Sequence, residues 1–345
     1  MKKRRWILFV LAVLLLLTAC SVQEPVLPMA GGVSGHASCD IGLATDGQQV
    51  YLLRTEKTLR PHSFTYAVYE VTGGGGKRIT GGRDADDIAV AEGRLLIASH
   101  TLNWIKAVRD SAEIDAYDTA TGKAVMHVSS RDGKNVNPDL YSFHLAGGRV
   151  IRQRATYSFA DGHRREFAFV DEQGHVGELF WAMEGFSSVR VLEGYILGMP
   201  YEGETVTVFD LDRMKAYTLP AMWEVTGRDG DGRRCLWQEG VLLDGVLYYP
   251  AADGVHACVL DSGRDSLFAS VTSPEYFYVT DGLLYTVADD GFLRAYDLLS
   301  GEVVSTGVAL TKADRYVIAG TYAYILQTPE RHDVRTVGCR VAELK

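Results

Sequence analysis

Three stretches of the chain combine basic and aromatic side chains in a way that suits molecular recognition. They are residues 54–62, 101–111 and 152–165, and together they contain nine Lys or Arg and three Asp or Glu. Arginine and aromatic side chains contribute most of the binding energy at many interfaces. We therefore predict a partner-binding surface that contains Arg60, Phe64, Trp104, Lys106, Arg109, Tyr157, Arg164 and Arg165. The alternative is that these stretches are longer hairpins whose charges stay solvated.

Residue patterns of known catalytic and metal sites are not found in the sequence. There is no Gly-x-Ser-x-Gly elbow, no His-Glu-x-x-His and no Walker loop. Residues 229–232, Asp-Gly-Asp-Gly, resemble a calcium loop only at its first two ligand positions. No cysteine lies in a Cys-x-x-Cys pair, and no histidine lies at metal-ligand spacing from a cysteine. We predict no catalytic residue, no metal and no cofactor. An enzymatic activity stays open, with binding favoured over catalysis.

Aspartates recur at one position of a repeated phrase, which gives them a structural interpretation. They are Asp118, Asp171, Asp210, Asp261 and Asp297, and each follows a short apolar run such as Leu293-Arg-Ala-Tyr-Asp297. Aspartate favours turns because its carboxylate accepts hydrogen bonds from nearby backbone N–H groups. The regular spacing therefore predicts turn-forming residues and not a catalytic pair.

The elements that would position these residues are short β-strands. Runs such as Tyr276-Phe-Tyr-Val-Thr280 and Leu283-Leu-Tyr-Thr-Val-Ala288 are separated by Asp-Gly turns, as in an antiparallel meander. The first-turn glycines recur at 47, 93, 148, 194, 245, 282 and 320. Seven such units predict an all-β fold, a single β-propeller with seven blades of four antiparallel strands. A pair of β-sandwiches and a solenoid are the alternatives.

The repeat also resembles a known family. Asp281-Gly-Leu-Leu-Tyr followed by Leu293-Arg-Ala-Tyr-Asp-Leu-Leu-Ser-Gly301, and Ile114-Asp-Ala-Tyr-Asp-Thr-Ala-Thr-Gly-Lys123, are similar to the PQQ-like (quinoprotein-type) propeller repeat. The tryptophan that commonly ends that repeat is missing, with Val125 and Val304 near those positions. The calcium ligands, the cofactor-stacking tryptophan and the vicinal cysteines of quinoprotein dehydrogenases are also missing. The resemblance therefore implies the propeller fold and no particular activity.

The N-terminus has the pattern of an export signal. Four basic residues precede an apolar run of twelve, Trp6 to Leu17, which is too short to span a bilayer as a helix. The next residues complete Leu17-Thr18-Ala19-Cys20, which resembles the lipobox of bacterial lipoproteins and implies acylation of Cys20. We predict a signal peptide over 1–19, a lipidated cysteine and flexible tether over 20–35, and the propeller over 36–345. An ordinary secretory signal is the alternative.

The charge balance bears on possible partners. From Cys20 onward the chain has 31 basic and 44 acidic residues, a net charge of −13. Nucleic acid and anionic lipid surfaces both repel such a chain. We expect no nucleic-acid partner, a monomeric chain, and contact with the membrane through the N-terminal lipid.

Four cysteines follow Cys20, and an exported chain permits disulfides between them. Propeller rings usually close by pairing an N-terminal strand with the last blade. Cys39 lies on the first apolar strand and Cys339 on the final one. We therefore predict a Cys39–Cys339 disulfide at the closure, and two independent buried thiols are the alternative.

Together these patterns predict a lipid-anchored, extracytoplasmic propeller that binds an envelope protein or an extracellular ligand. The anchor and repeat also resemble the lipoprotein propellers that assist outer-membrane β-barrel assembly, which implies a scaffold role if the host has an outer membrane. The alternative is a propeller enzyme, or a protein that binds a quinone, a sugar or a metal in the central depression.

Overall fold

Short apolar runs that end at glycine-containing turns pair into antiparallel sheets along the whole chain. In the computed structural model, the described residues are 39–60, 63–72, 75–103, 108–130, 141–158, 162–200, 205–220, 227–228, 234–235, 240–251, 253–310, 315–326 and 339–344. They form seven blades of antiparallel strands, which confirms the predicted all-β propeller. Six blades have four described strands and the seventh has three. No described segment is a helix of the length and apolarity needed to cross a bilayer.

The strands follow chain order within each blade. Blades 1 and 2 contain β1 (Cys39–Thr45), β2 (Val50–Arg60), β3 (Ser63–Thr72), β4 (Gly75–Arg83), β5 (Ala85–Ala91), β6 (Arg94–Asn103), β7 (Val108–Asp118) and β8 (Ala124–Ser129). Blades 3 and 4 contain β9 (Tyr141–Ala146), β10 (Arg149–Ser158), β11 (Gly162–Val170), β12 (Val176–Glu184), β13 (Phe186–Leu192), β14 (Tyr195–Pro200), β15 (Thr205–Asp210) and β16 (Lys215–Pro220).

The second half of the ring repeats the same order after a short insertion. The insertion is a short hairpin whose strands have two residues each, β17 (Gly227–Arg228) and β18 (Arg234–Cys235). Blades 5, 6 and 7 contain β19 (Val241–Leu243), β20 (Val246–Ala251), β21 (Gly254–Val259), β22 (Arg264–Ala269), β23 (Glu275–Thr280), β24 (Leu283–Val287), β25 (Phe292–Asp297), β26 (Val303–Ala309), β27 (Arg315–Ala319), β28 (Tyr322–Leu326) and β29 (Cys339–Glu343).

We name the strands of a blade a to d in chain order, which divides the ring into two faces. The a strands line the centre, because β1 packs against both β5 and β27 and neighbouring a strands contact one another around most of the ring. The hairpin face has the b–c hairpins and the d–a connections. The turn face has the a–b and c–d turns. Every first-turn glycine predicted from the sequence lies on the turn face with positive φ, between 56° and 91°.

Each blade is buried on both sides, which explains why its strands are apolar on both faces. A separate cluster of buried side chains fills each of the seven blade interfaces. The cluster between blades 7 and 1 contains Val50, Leu52 and Val71 from one side and Ala319 and Cys339 from the other. The clusters therefore close the ring into one continuous body.

At the closure between blades 1 and 7, the strand that starts at Cys39 is not the one that completes the last blade. β1 pairs with β2 as the a strand of blade 1, and the residues before it lie outside the described part. Among the described residues, the seam is held by side-chain packing and by Asp40, whose side chain is fully buried. Its carboxylate accepts hydrogen bonds from the Cys339 backbone N–H at 2.6 Å and from Arg54 Nη2 at 3.0 Å. The Cys339 hydrogen bond thus crosses from blade 7 to blade 1, and the Arg54 ion pair holds the accepting carboxylate in place within blade 1.

The predicted Cys39–Cys339 disulfide stays a prediction. The backbone of Cys39 starts β1, but its side chain lies outside the described residues. Cys339 is buried, and burial together with the nearby Asp40 carboxylate raises the pKa of its thiol to about 12. Residues 1–38, which include Cys20 and the predicted signal and tether, also lie outside the described part.

Candidate functional site

Three neighbouring blades have b–c hairpins that are much longer than those of the others. We name β2–β3, β6–β7 and β10–β11 the long hairpins; their strands have 9 to 11 residues. The corresponding strands of blades 4 to 7 have 5 or 6 residues. At about 3.3 Å per residue, four extra residues project roughly 13 Å beyond the blade. The hairpin face is therefore raised on one side of the ring.

The described parts of the long hairpins are paired β-ribbons, with register shifts in β2–β3 and β6–β7. In blade 2, pairing with the a strand β5 extends along β6 as far as Ser99, and pairing with the d strand β8 extends along β7 as far as Glu113. The β6–β7 pairing continues beyond both, to Asn103 opposite Val108. In blade 3, the β10–β11 pairing continues along β10 to Ser158. It passes Arg154, the last residue of β10 that pairs with β9. The sequence predicted the length of these segments, and the structure shows that cross-strand pairing extends along them.

Two of the eight predicted binding residues have other contacts that limit their exposure. Phe64 is half-buried against the core between blades 1 and 2, and its backbone N–H donates to Asp84 Oδ1 at 2.9 Å. Arg164 donates through Nε to Glu166 at 3.0 Å and through Nη1 to Glu184 at 2.9 Å. These carboxylates raise the pKa of Arg164 above its usual value.

The remaining predicted binding residues are described less completely. Arg165 is half-buried on β11. The backbones of Arg60, Arg109 and Tyr157 lie on β2, β7 and β10, and their side chains are outside the described residues. Trp104 and Lys106 lie wholly outside the described residues. The binding role of all eight residues stays a prediction.

Ion pairs reduce the positive charge of the long hairpins below the sequence estimate. Arg54, counted as a surface charge in the sequence, is buried and bound to Asp40. Arg154 and Arg164 both lie within 4 Å of Glu166. The sequence count missed Asp40, Glu166 and Glu184, because these acids lie on strands beside the counted stretches. Including them lowers the local net charge from +6 to +3.

A half-buried histidine lies at the base of the blade 3 hairpin. His144 on β9 is half-buried by its accessible area, and its Nε2 is 3.0 Å from the Ser142 hydroxyl. Burial and the nearby Arg165 guanidinium lower the pKa of His144 to about 4, although a hydrogen bond with the Gln153 side chain opposes them. The imidazole is therefore neutral at physiological pH and anchors the hairpin base without adding charge.

Four of the five recurring aspartates are the predicted turn-forming residues. In Asp118, Asp171, Asp210 and Asp297, one carboxylate oxygen accepts hydrogen bonds from backbone N–H groups two to four residues further along. In Asp297, hydrogen bonds from Ser300 hold the carboxyl pKa below its usual value. These contacts close the c–d turns, so the aspartates are structural.

The fifth aspartate does not occupy the repeated position, which corrects the sequence prediction. Val259 accepts the Gly263 N–H in blade 5, as Asp297 accepts the Gly301 N–H in blade 6. Asp261 therefore lies two residues after the turn-forming position. It instead binds the neighbouring blade, with Oδ1 2.9 Å from Lys215 Nζ. The sequence phrase is preserved in blade 5, but its register is shifted.

A cavity of about 510 Å³ opens on the turn face between blades 2, 3 and 4. Its apolar wall includes Leu96, Val150 and Phe169. Its two arginines are already paired, Arg94 with Glu172 at 2.7 Å and Arg149 with Asp212 at 2.6 Å. The cavity lies between blades and not in the central depression where the alternative small-molecule site was predicted. The described residues contain no group of three His, Cys, Asp or Glu that could hold a metal ion.

No protein-family model and no curated protein matches the chain. Solved propellers are similar to it in structure at low sequence identity. The computationally designed Ika8 protein has a TM-score of 0.45 at 10% identity, covering 90% of this chain and 98% of that one. BamB from Moraxella catarrhalis has a TM-score of 0.43 at 12% identity, with 94% and 96% coverage. Hsv2 from Kluyveromyces lactis has a TM-score of 0.48 at 11% identity, with 89% and 98% coverage.

These similarities carry no argument about function, because every TM-score is below 0.5. The propeller fold stands on the strand pairing of the chain itself. Membership of the PQQ-like repeat family, and of the barrel-assembly lipoproteins, stays a prediction from the sequence.

Proposed function

We propose that the protein is an exported, lipid-anchored propeller that binds a protein of the cell envelope through its long hairpins. The observation that carries this proposal is the restriction of hairpin extension to blades 1, 2 and 3. Ring closure alone requires no such asymmetry, because blades 4 to 7 pack with strands of 5 or 6 residues. Extensions from a rigid scaffold are common positions for binding residues.

The geometry of the ribbons supports a protein partner. A two-stranded ribbon is marginally stable in water, because it buries little apolar surface. The β6–β7 ribbon extends past both of its neighbouring strands in blade 2. A partner that packs against the three ribbons would bury that surface and add backbone hydrogen bonds along their edges.

The chemistry of the ribbon tips supports the same function. Trp104 and Tyr157 combine aromatic area with a hydrogen-bonding group, and Arg60 and Arg109 add positive charge. Arg54 and Arg164 are ion-paired within the propeller, so they contribute less to the positive charge of this surface than the sequence count indicates. We infer that the partner presents a polar surface with net negative charge to the hairpin face.

The N-terminal sequence supports the location. The Leu-Thr-Ala-Cys motif at 17–20 implies acylation of Cys20, and 18 residues separate it from β1. An extended chain of that length spans about 60 Å, so an anchored ring can reach proteins embedded in or lying on the same membrane. The resemblance to barrel-assembly lipoproteins predicts an outer-membrane barrel or its assembly machinery as that partner.

A crosslinked pull-down from native membranes tests the proposal. The wild-type chain is compared with a variant that carries Arg60→Glu, Arg109→Glu, Trp104→Ala and Tyr157→Ala. We expect a defined envelope protein with the wild type and at least a tenfold smaller recovery with the variant, since two hot-spot losses exceed the 1.4 kcal/mol that corresponds to tenfold.

A control variant with charge reversals on the opposite face makes the result specific. Lys123→Glu and Arg264→Glu change exposed residues of the turn face. Both variants are checked for the wild-type circular dichroism spectrum and thermal midpoint. Equal recovery with all three chains would refute the role of the long hairpins. Loss of recovery with the control alone would assign binding to the turn face.

A further inference from the structure

A histidine in blade 5 is held at both ring nitrogens by carboxylates. His256 Nδ1 lies 2.7 Å from Asp265 Oδ2, and His256 Nε2 lies 2.8 Å from Asp253 Oδ1. The Tyr249 hydroxyl donates to the other oxygen of Asp265 at 2.9 Å. The four residues join the b strand, the b–c turn, the c strand and the d strand of the blade. Nothing in the propeller repeat requires this arrangement.

Among the described residues, Asp253 and Asp265 are the charged groups that contact the His256 imidazole. The side chains of His256 and Asp265 are 17% and 16% exposed, and that of Asp253 is 65% exposed. The next titratable group on the c strand is the buried Cys258 thiol. From blade 4, the hydrophobic cluster packed against blade 5 includes two tyrosines, Tyr195, whose hydroxyl donates to the Gly240 carbonyl, and Tyr217, whose hydroxyl donates to Asp261.

Hydrogen-bond chemistry fixes the protonation state that this geometry needs. An ionised carboxylate only accepts hydrogen bonds, so both imidazole nitrogens must donate, and only the imidazolium has two N–H groups. Burial lowers the pKa of His256, but the hydrogen bonds and charges of Asp265 and Asp253 outweigh it and raise the pKa above 6.5. The hydrogen bond from His256 also holds the pKa of Asp253 below its usual value.

We propose that His256 is a pH-operated latch that fastens the b–c turn of blade 5 to the outer strand β22. In the protonated state it bridges Asp253 and Asp265. Loss of one proton leaves one N–H, so one carboxylate loses its donor. Asp265 retains the Tyr249 hydroxyl, whereas the exposed Asp253 can turn to water. The turn at 253–254 on the hairpin face is therefore the part that is released.

The sign of the pH dependence follows from the same contacts. The folded pKa is raised above the unfolded value, so the latch stabilises the turn fully below about pH 6.5. That stabilisation is lost as the pH rises through the raised value. If the protein is exported as proposed, it meets external changes of pH, and the latch would alter the hairpin face as the pH rises through the raised pKa of His256. Its test is independent of the binding role proposed for blades 1 to 3.

The full-length protein is titrated from about pH 5 to about pH 9, the range over which imidazoles change charge. The imidazole signals of His256 are followed by NMR, and the protection of the 253–255 amides by hydrogen exchange corrected for the intrinsic rate. We expect a His256 midpoint above 6.5. Protection should fall through that midpoint, by up to tenfold for each unit of elevation.

Two variants and a control separate the latch from general pH effects. Asp253→Asn changes an exposed side chain and should lower the His256 midpoint, because the amide no longer requires a charged partner. His256→Gln should make the protection of the turn independent of pH. His127→Gln removes a histidine of blade 2 that pairs with Asp115, and should leave the blade 5 profile unchanged. A wild-type midpoint at or below 6.5, or constant protection of the turn across the range, would overturn the latch.

Discussion

At the scale of single residues, Asp40 makes a buried ion pair and a hydrogen bond across the seam that the sequence does not indicate. The chain contains 44 acidic residues, and no local pattern marks this one. Its partners, Arg54 and Cys339, lie 14 and 299 positions away. The sequence predicted that the closure lies near residues 39 and 339, and the ends of the ring do meet there. The hydrogen bond from Cys339 to Asp40 that joins them depends on the folded ring and could not be predicted.

Replacing Asp40 with Asn should destabilise the protein strongly. Arg54 would remain buried without its counter-charge, and breaking one partner of a buried pair costs about 3–5 kcal/mol. Urea denaturation measures the free energy of unfolding. Asp212→Asn is the matched control, because it breaks an ion pair with Arg149 in which the Asp212 side chain is 74% exposed, and exposed pairs contribute about 0–1 kcal/mol. Equal losses for the two variants would mean that the buried Asp40–Arg54 pair contributes no more to stability than an exposed ion pair.

The His256 cluster was also missed at this scale. Asp253 and His256 are three residues apart in the sequence, but Asp265 lies on the next strand. Cross-strand register decides which residues meet, and register is a property of the folded blade.

At the scale of strands and turns, sequence reasoning succeeded where the signal is local. Asp-Gly turns between short apolar runs predicted β23 and β24 to within one residue of their observed bounds. The c–d turn of blade 5 was misassigned, because Asp261 matches the phrase while Val259 takes its place in the fold. The long hairpins were predicted by length, but their ion pairs join separate strands and were invisible in a count along the chain.

Two glycines test how tightly the turns of neighbouring blades pack. Gly148 in blade 3 has φ of +75°, and a Cβ there would lie 2.1 Å from the Ala91 Cβ of blade 2. Gly47 in blade 1 has φ of +91° with no atom within 4 Å of such a Cβ. Gly47→Ala should cost about 1–2 kcal/mol from backbone strain alone. Gly148→Ala should cost about 1–3 kcal/mol more, because the two turns must separate.

The same denaturation measurement compares the two alanine variants. The difference between them isolates the contact between blades 2 and 3 from the shared backbone strain. Equal destabilisation would show that the turns have room to move apart.

At the scale of the whole molecule, the ring is uniform inside and asymmetric on one face. Seven similar interfaces bury both sides of every blade, and this regularity made the fold predictable from the repeat. The asymmetry lies in blades 1 to 3, whose hairpins extend past their neighbouring strands. A repeat predicts what the blades share, whereas function is carried by the features in which they differ.

Site-specific photocrosslinking in native membranes tests the central claim most directly. A benzophenone amino acid is placed at Trp104 or Tyr157 on the long hairpins, or at Lys123 or Arg264 on the turn face. We expect one envelope protein to be crosslinked from the two hairpin positions and from neither turn-face position. Crosslinks to that protein from Lys123 or Arg264 alone, or none from either hairpin position, would contradict the assignment of the hairpin face as the binding surface.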